Sequence, residues 1–263
     1  ITVAGNCAIA GAASFDRGTS QLNLTASGTL SNPTYANRFN NVTQSGSVVT
    51  TLTDNTVVGG TLACGAGATV QADGVSPRIL QLYGPLTVST VTWGGTGADD
   101  LVVQWGTSNA NAFPGDDYGD CMLRFSNRGG YTSLAGAITT TGGLQVYGDG
   151  TSVTGYLTSA GYGITCGSLE IGQSGDISDA GQLRLESNSA LTVNGDVNIY
   201  ADNGVQSNVL TSTAGGTSAI AVSGNWTVGS GGEFTEENTT VTFNGSALQT
   251  VTSLGQTFYN VTV

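Results

Sequence analysis

Apolar and polar residues alternate along this chain in short runs, and nowhere do they settle into a helical period. The runs include Gln21-Leu22-Asn23-Leu24-Thr25, Leu101-Val102-Val103-Gln104-Trp105, Gln182-Leu183-Arg184-Leu185, Ala190-Leu191-Thr192-Val193, Val197-Asn198-Ile199-Tyr200 and Thr240-Val241-Thr242-Phe243. Each is rich in β-branched or aromatic residues and is bounded by Gly, Asn, Asp or Ser. The pattern predicts strands of about five residues whose starts fall roughly 8–12 residues apart, hence an all-β chain. That spacing suits β-sandwich modules as well as a stacked solenoid.

Internal repetition separates the two. Residues 1–43 lie over residues 220–262 without a gap, with ten of the 43 positions identical: Ile1/Ile220, Val3/Val222, Gly5/Gly224, Asn6/Asn225, Phe15/Phe234, Ser27/Ser246, Phe39/Phe258, Asn41/Asn260, Val42/Val261 and Thr43/Thr262. Chance in so biased a composition gives about four matches. Looser echoes, such as Val57-Val58-Gly59-Gly60-Thr61-Leu62 and Leu191-Thr192-Val193-Asn194-Gly195-Asp196-Val197, fill the middle. Repetition of a strand–Gly/Asn–strand unit favours a quasi-one-dimensional stack.

These phrases carry a resemblance. Arg38-Phe39-Asn40-Asn41-Val42-Thr43, Gly59-Gly60-Thr61-Leu62, Gly65-Ala66-Gly67-Ala68-Thr69-Val70 and Ser223-Gly224-Asn225-Trp226-Thr227 resemble the degenerate β-solenoid repeats of large secreted microbial surface proteins, adhesins and filament proteins. Thr239-Thr240-Val241-Thr242-Phe243-Asn244-Gly245, followed by Phe258-Tyr259-Asn260-Val261-Thr262, is similar to their closing phrase. The likeness covers residues 1–75 and 163–263 and is poor over 76–162. It implies a parallel β-helix with an exported structural role and supplies no active-site residues.

The expected architecture is therefore a parallel β-solenoid with an irregular middle insertion: coils over 1–84, irregular coils or a lateral insertion over 85–162, and coils again over 163–263. β-Sandwich modules are the alternative. At roughly 20 residues per coil the chain makes about 13 coils, a rod near 60 Å long at ~4.8 Å per coil. Glycine, 41 of 263 residues, is then corner material, because corners need φ > 0 or close backbone approach.

Composition removes function classes. Only 9% of residues are charged, there is no histidine, and the six cations are all arginine. Nucleophile–imidazole pairs, His-based zinc sites, Schiff-base lysines and Walker-type lysines are thereby excluded. A net charge of −12 disfavours nucleic acid and anionic membranes. No apolar run reaches the ~18 residues of a membrane span. No catalytic residue is assigned, and calcium is the one cofactor considered.

Some candidate sites remain. Asp99, Asp100, Asp116, Asp117 and Asp120 form the densest acidic cluster, an oxygen-rich, glycine-containing segment of the sort calcium takes. Against it stand the absent EF-hand ligand order and the frequency of plain solvated acidic loops. Cys7, Cys64, Cys121 and Cys166 lack CxxC spacing and are even in number, so they are disulfide candidates of undetermined pairing or buried thiols. Asn23, Asn41, Asn225, Asn238, Asn244 and Asn260 match the glycosylation sequon, at about the frequency composition alone predicts. Trp93, Trp105 and Tyr118 are either sugar-stacking or core aromatics.

The ends are the most informative feature. No capping helix is legible at either terminus, and Ile1-Thr2-Val3 and Val261-Thr262-Val263 are β-prone throughout. A chain beginning Ile1-Thr2-Val3 without a methionine is expected to follow a removed signal or to lie inside a precursor. Bare coils want a neighbour, which places assembly edges at Ile1, Val3, Phe258, Val261 and Val263. The expectation is an extracellular, non-enzymatic subunit of a surface filament, a homopolymer joined head to tail, with glycans or another cell surface as further partners. A segment of a large adhesin is the first alternative, and a β-helix polysaccharide lyase or hydrolase the second.

Overall fold

A computed structural model describes residues 1–8, 19, 21–32, 38–95, 100–105, 112–127, 131–148, 155–176, 180–186, 188–202, 207–213 and 216–263. The protein is all-β, a stack of parallel strands forming a β-solenoid of about 9 turns, with no helix among the described residues. Its strands are short and alternate in burial: Asn41–Gln44 and Thr69–Ala72 bury every second residue, as does Gly181–Leu185. Alternation follows from the pleat, which sends successive side chains to opposite faces. One face lines the interior and the other meets solvent.

Stacking is in register. In the first sheet Leu22 pairs with Val42 and Val42 with Leu62, so buried side chains sit directly above one another. The largest sheet, of 13 strands, forks at Val49–Val58: Val49 to Leu52 pair with Thr69 to Ala72, whereas Thr56 to Val58 pair with Leu80 to Leu82. One branch then runs to Val251–Thr252. A 7-stranded sheet from Asp116–Asp117 to Asn260–Thr262 and a 5-stranded sheet from Tyr131–Ser133 to Glu233–Thr235 complete the later coils.

Within 85–162, Leu101–Trp105 pairs with both Arg78–Leu82 and Met122–Asn127. One expectation, the number of coils, needs correction. Coils vary in length along the chain and are longer in part of its C-terminal half. Asn41 reaches Thr61 on the next coil, a sequence separation of 20, whereas Asp196 reaches Asn225 on its next coil, a separation of 29. Longer corners leave fewer turns than expected, about 9.

The repeat read from the sequence has a structural counterpart. Thr2 pairs with Asn23 just as Ile220 pairs with Val241, and Leu22 pairs with Val42 just as Val241 pairs with Val261. Along these ladders the steps are the same in both modules, whereas Cys7 pairs with Leu30 and its counterpart Trp226 with Val251, two residues further on. Two related modules thus open and close the stack, with the matching ladders in different sheets.

Candidate functional site at the ends of the stack

The interior absorbs most of the residues singled out from the sequence. Trp93, Trp105 and Tyr118 are buried, so they are core aromatics and not sugar platforms. Phe113 meets Trp105, Tyr118 and Phe125 at centroid distances of 5.1, 5.1 and 4.9 Å. Two polar tips are satisfied locally: Trp93 Nε1 donates to Asp116 Oδ2 at 3.2 Å, and the Tyr118 hydroxyl to Pro114 O at 3.0 Å. Burial, with Asp116 as a lesser contributor, holds the Tyr118 hydroxyl well above its ordinary pKa.

None of the four cysteines forms a disulfide. For three of them the reason is ladder position: Cys7 stacks on Leu30, Cys64 on Gln44 and Cys166 on Val193, so no thiol faces another across those coils. Burial pushes the Cys64 and Cys166 thiols up to about 12, with Asp116 adding to the effect at Cys64. At neutral pH both are protonated, small apolar fillers.

The acidic segment disperses into local turns. Asp116 Oδ1 accepts the Asp117 amide at 3.0 Å, and Asp117 Oδ1 accepts the Gly119 amide at 3.0 Å. Asp120 lines a different, shallow cleft of about 250 Å³ beside Trp93 and Gly94. Asp100 gives its carbonyl to the Arg78 amide, and Asp99 lies outside the described residues. No group of three His, Cys, Asp or Glu side chains converges among the described residues.

The sequon asparagines divide by exposure. Asn23, Asn41 and Asn238 are half-buried, and Asn225, Asn244 and Asn260 are exposed. Asn41 and Asn225 work as corner residues: their Oδ1 atoms accept the amides of Thr61 and Thr250, one coil on, each at 2.8 Å. Asn244 Oδ1 accepts the Ser223 hydroxyl at 3.1 Å.

The ends remain, and there the described molecule is unfinished. At the head, among the described residues, Thr2–Ala4 pairs only with Gln21–Ala26, and Cys7–Ala8 only with Gly28–Asn32; Ile1 is exposed, while Val3 packs against the core. At the tail, Val251–Thr252 and Asn260–Thr262 are the last strands of their sheets. Leu248, Leu254, Tyr259, Val261 and Val263 are all exposed, Leu248 at 96% and Val263 at 100%. Phe258, expected at the edge, instead folds inward, 5.6 Å from Trp226 and 5.4 Å from Phe234. Sequence reasoning missed Leu248, Val251, Leu254 and Tyr259. The available signal was a clustering of large apolar residues outside any alternating run.

A cleft of about 540 Å³ opens at the corner between the last two coils' strands, lined by Phe243, Gly245, Leu248, Gln249, Val251 and Val263, among others. Gln249 sets one wall. Its amide donates to Val222 O and Gly224 O, and its Oε1 accepts the Gly245 amide at 2.9 Å. Three bonds from one side chain fix the corner, so the cleft is preformed. Glu236 accepts the Thr257 hydroxyl at 2.6 Å, and that bond lowers its pKa.

No protein-family model matches the chain, and neither curated proteins nor solved structures give a match. What stands is the class the fold defines, a parallel β-solenoid of about 9 turns. The exposed apolar residues from Leu248 to Val263 and the cleft beside them are its candidate functional surface.

Proposed function

We propose that this chain is an exported structural protein, the subunit of a surface filament that grows by head-to-tail contact between end coils. The observation that carries the reading is the exposed apolar cluster at the tail, from Leu248 to Val263, beside strand edges that meet no partner among the described residues. Large exposed apolar patches mark interaction surfaces, and open strand edges are templates for further pairing. A heterologous contact between unlike ends does not close on itself and so propagates. The charge-poor sequence, without histidine or lysine, agrees with a scaffold role and gives a polysaccharide lyase or hydrolase little to work with.

Negative-stain microscopy of the purified chain tests this. Uniform fibres one solenoid wide are expected, and removal of residues 1–10 shortens or abolishes them. Isolated rods of monomer length at high concentration would overturn the filament reading and favour the adhesin one, in which coils of a longer surface protein cover the ends.

A further inference from the structure

The two ends fit one another in a definite register. Resting on the filament reading, we propose that the tail receives the first coil of a second copy of this chain, with its residues 1–3 laid in parallel on residues 261–263 and Cys7–Ala8 on Val251–Thr252. Ile1 of the second copy then covers Val261, its Val3 covers Val263, its Cys7 covers Val251, and its Gly5-Asn6 corner closes the cleft beside Leu248 and Gln249.

Four observations converge on that junction. The ladders between named strands are all parallel, and all four edges in question have a described partner on one side only, so the new pairings extend existing sheets. The internal repeat supplies the register. Thr2–Ala4 and Cys7–Ala8 are the counterparts of Ala219–Val222 and Trp226–Val228, and these two lie in the same sheets as Asn260–Thr262 and Val251–Thr252.

Inward and outward positions agree with it. Val261 continues the ladder of buried Ile220 and Val241, and Val3 opens that of buried Leu24, the counterpart of the ladder from buried Val222 to buried Phe243. Val263, two residues beyond Val261, falls on the same inward side by alternation. Val251 likewise continues the ladder of Val197 and Trp226, and Cys7 opens that of Leu30. The corners agree as well. A Cβ on Gly195 would collide with Gly167, one on Gly224 with Gly195, and one on Gly28 with Gly5, each time on the preceding coil. Gly5 holds the same corner position, yet its own Cβ direction meets nothing within 4 Å. It is a corner shaped for a coil beneath it.

Charge chooses the partner. Residues 1–43 contain Arg17, Arg38 and Asp16, a net +1, whereas the equivalent residues 220–262 contain Glu233, Glu236 and Glu237, a net −3. No cation follows Arg184. Head and tail of two copies attract, while two tails repel. A second copy thus offers the tail matching strands and the opposite charge together.

Cysteine pairing across the junction is the test. In a Cys7→Ala background, the double variant Thr2→Cys/Thr262→Cys is oxidised under assembly conditions and run on a non-reducing gel. Facing outward positions of parallel neighbours lie within disulfide reach, so a ladder of covalent multiples is expected, with none from either single variant. Leu248→Glu, at an exposed position that leaves the fold intact, is expected to raise the assembly threshold at least about tenfold. Fibres that form without the covalent ladder, a ladder from Thr2→Cys/Thr252→Cys instead, or an unchanged threshold for Leu248→Glu would overturn this docking and leave the filament reading standing. Absence of both fibres and ladder overturns both.

Discussion

Between individual residues, the decisive contacts are backbone to backbone. Gly195 faces Gly167, and Gly224 faces Gly195, at corners where a Cβ has no room. The backbone at Gly224 is not left-handed, so its requirement is space alone. Gly224→Ala is expected to force the corner apart and destabilise the protein by about 1–3 kcal/mol, read as a lower denaturant midpoint. Composition advertised this role, since the glycine excess was legible as corner material. Which glycines touch was not, because each contact depends on a partner a full coil away in the chain. The cysteines show the same division. Their number suggested disulfides, but ladder register placed Cys7, Cys64 and Cys166 over Leu30, Gln44 and Val193.

Each strand is too short to persist alone and is stabilised by the coils on either side. The tail coils show how. Trp226 pairs with Val197 below and Val251 above, and gathers Phe234, Phe243 and Phe258 around its ring at 5.0 to 6.3 Å. Trp226→Ala removes the centre of that cluster and is expected to cost about 3–5 kcal/mol. The change should appear as loss of near-ultraviolet dichroism together with a lowered midpoint. The alternating runs announced these strands, and burial follows them closely. The segment 85–162 was less legible, because fully buried Leu101–Trp105 shows no alternation in burial.

Among the described residues, the strand ladders join each coil to its neighbours, so stability is expected to vary along the axis. Hydrogen exchange should protect the amides of Gly143–Gly148 and Ser168–Ile171 most. Those of Thr2–Ala4, Val251–Thr252 and Asn260–Thr262 should exchange fastest in the dispersed chain. On assembly, protection at these three end strands should rise selectively. A uniform profile would mean that the ends are as well covered as the middle.

Strand period, glycine corners, the repeat of 1–43 in 220–262 and the absence of histidine and lysine are local or countable properties. They suffice to specify an all-β, repetitive chain. The remaining features belong to the stack: the fork at Val49–Val58, the burial of Trp93, Trp105 and Tyr118, the dispersal of the carboxylates around Asp116, and the tail cleft beside Leu248, Val251 and Val263. Each depends on which coil lies against which. The step from Asn41 to Thr61 is much shorter than that from Asp196 to Asn225, so the pattern along the chain does not state that registration; hydrogen bonding and packing between coils impose it.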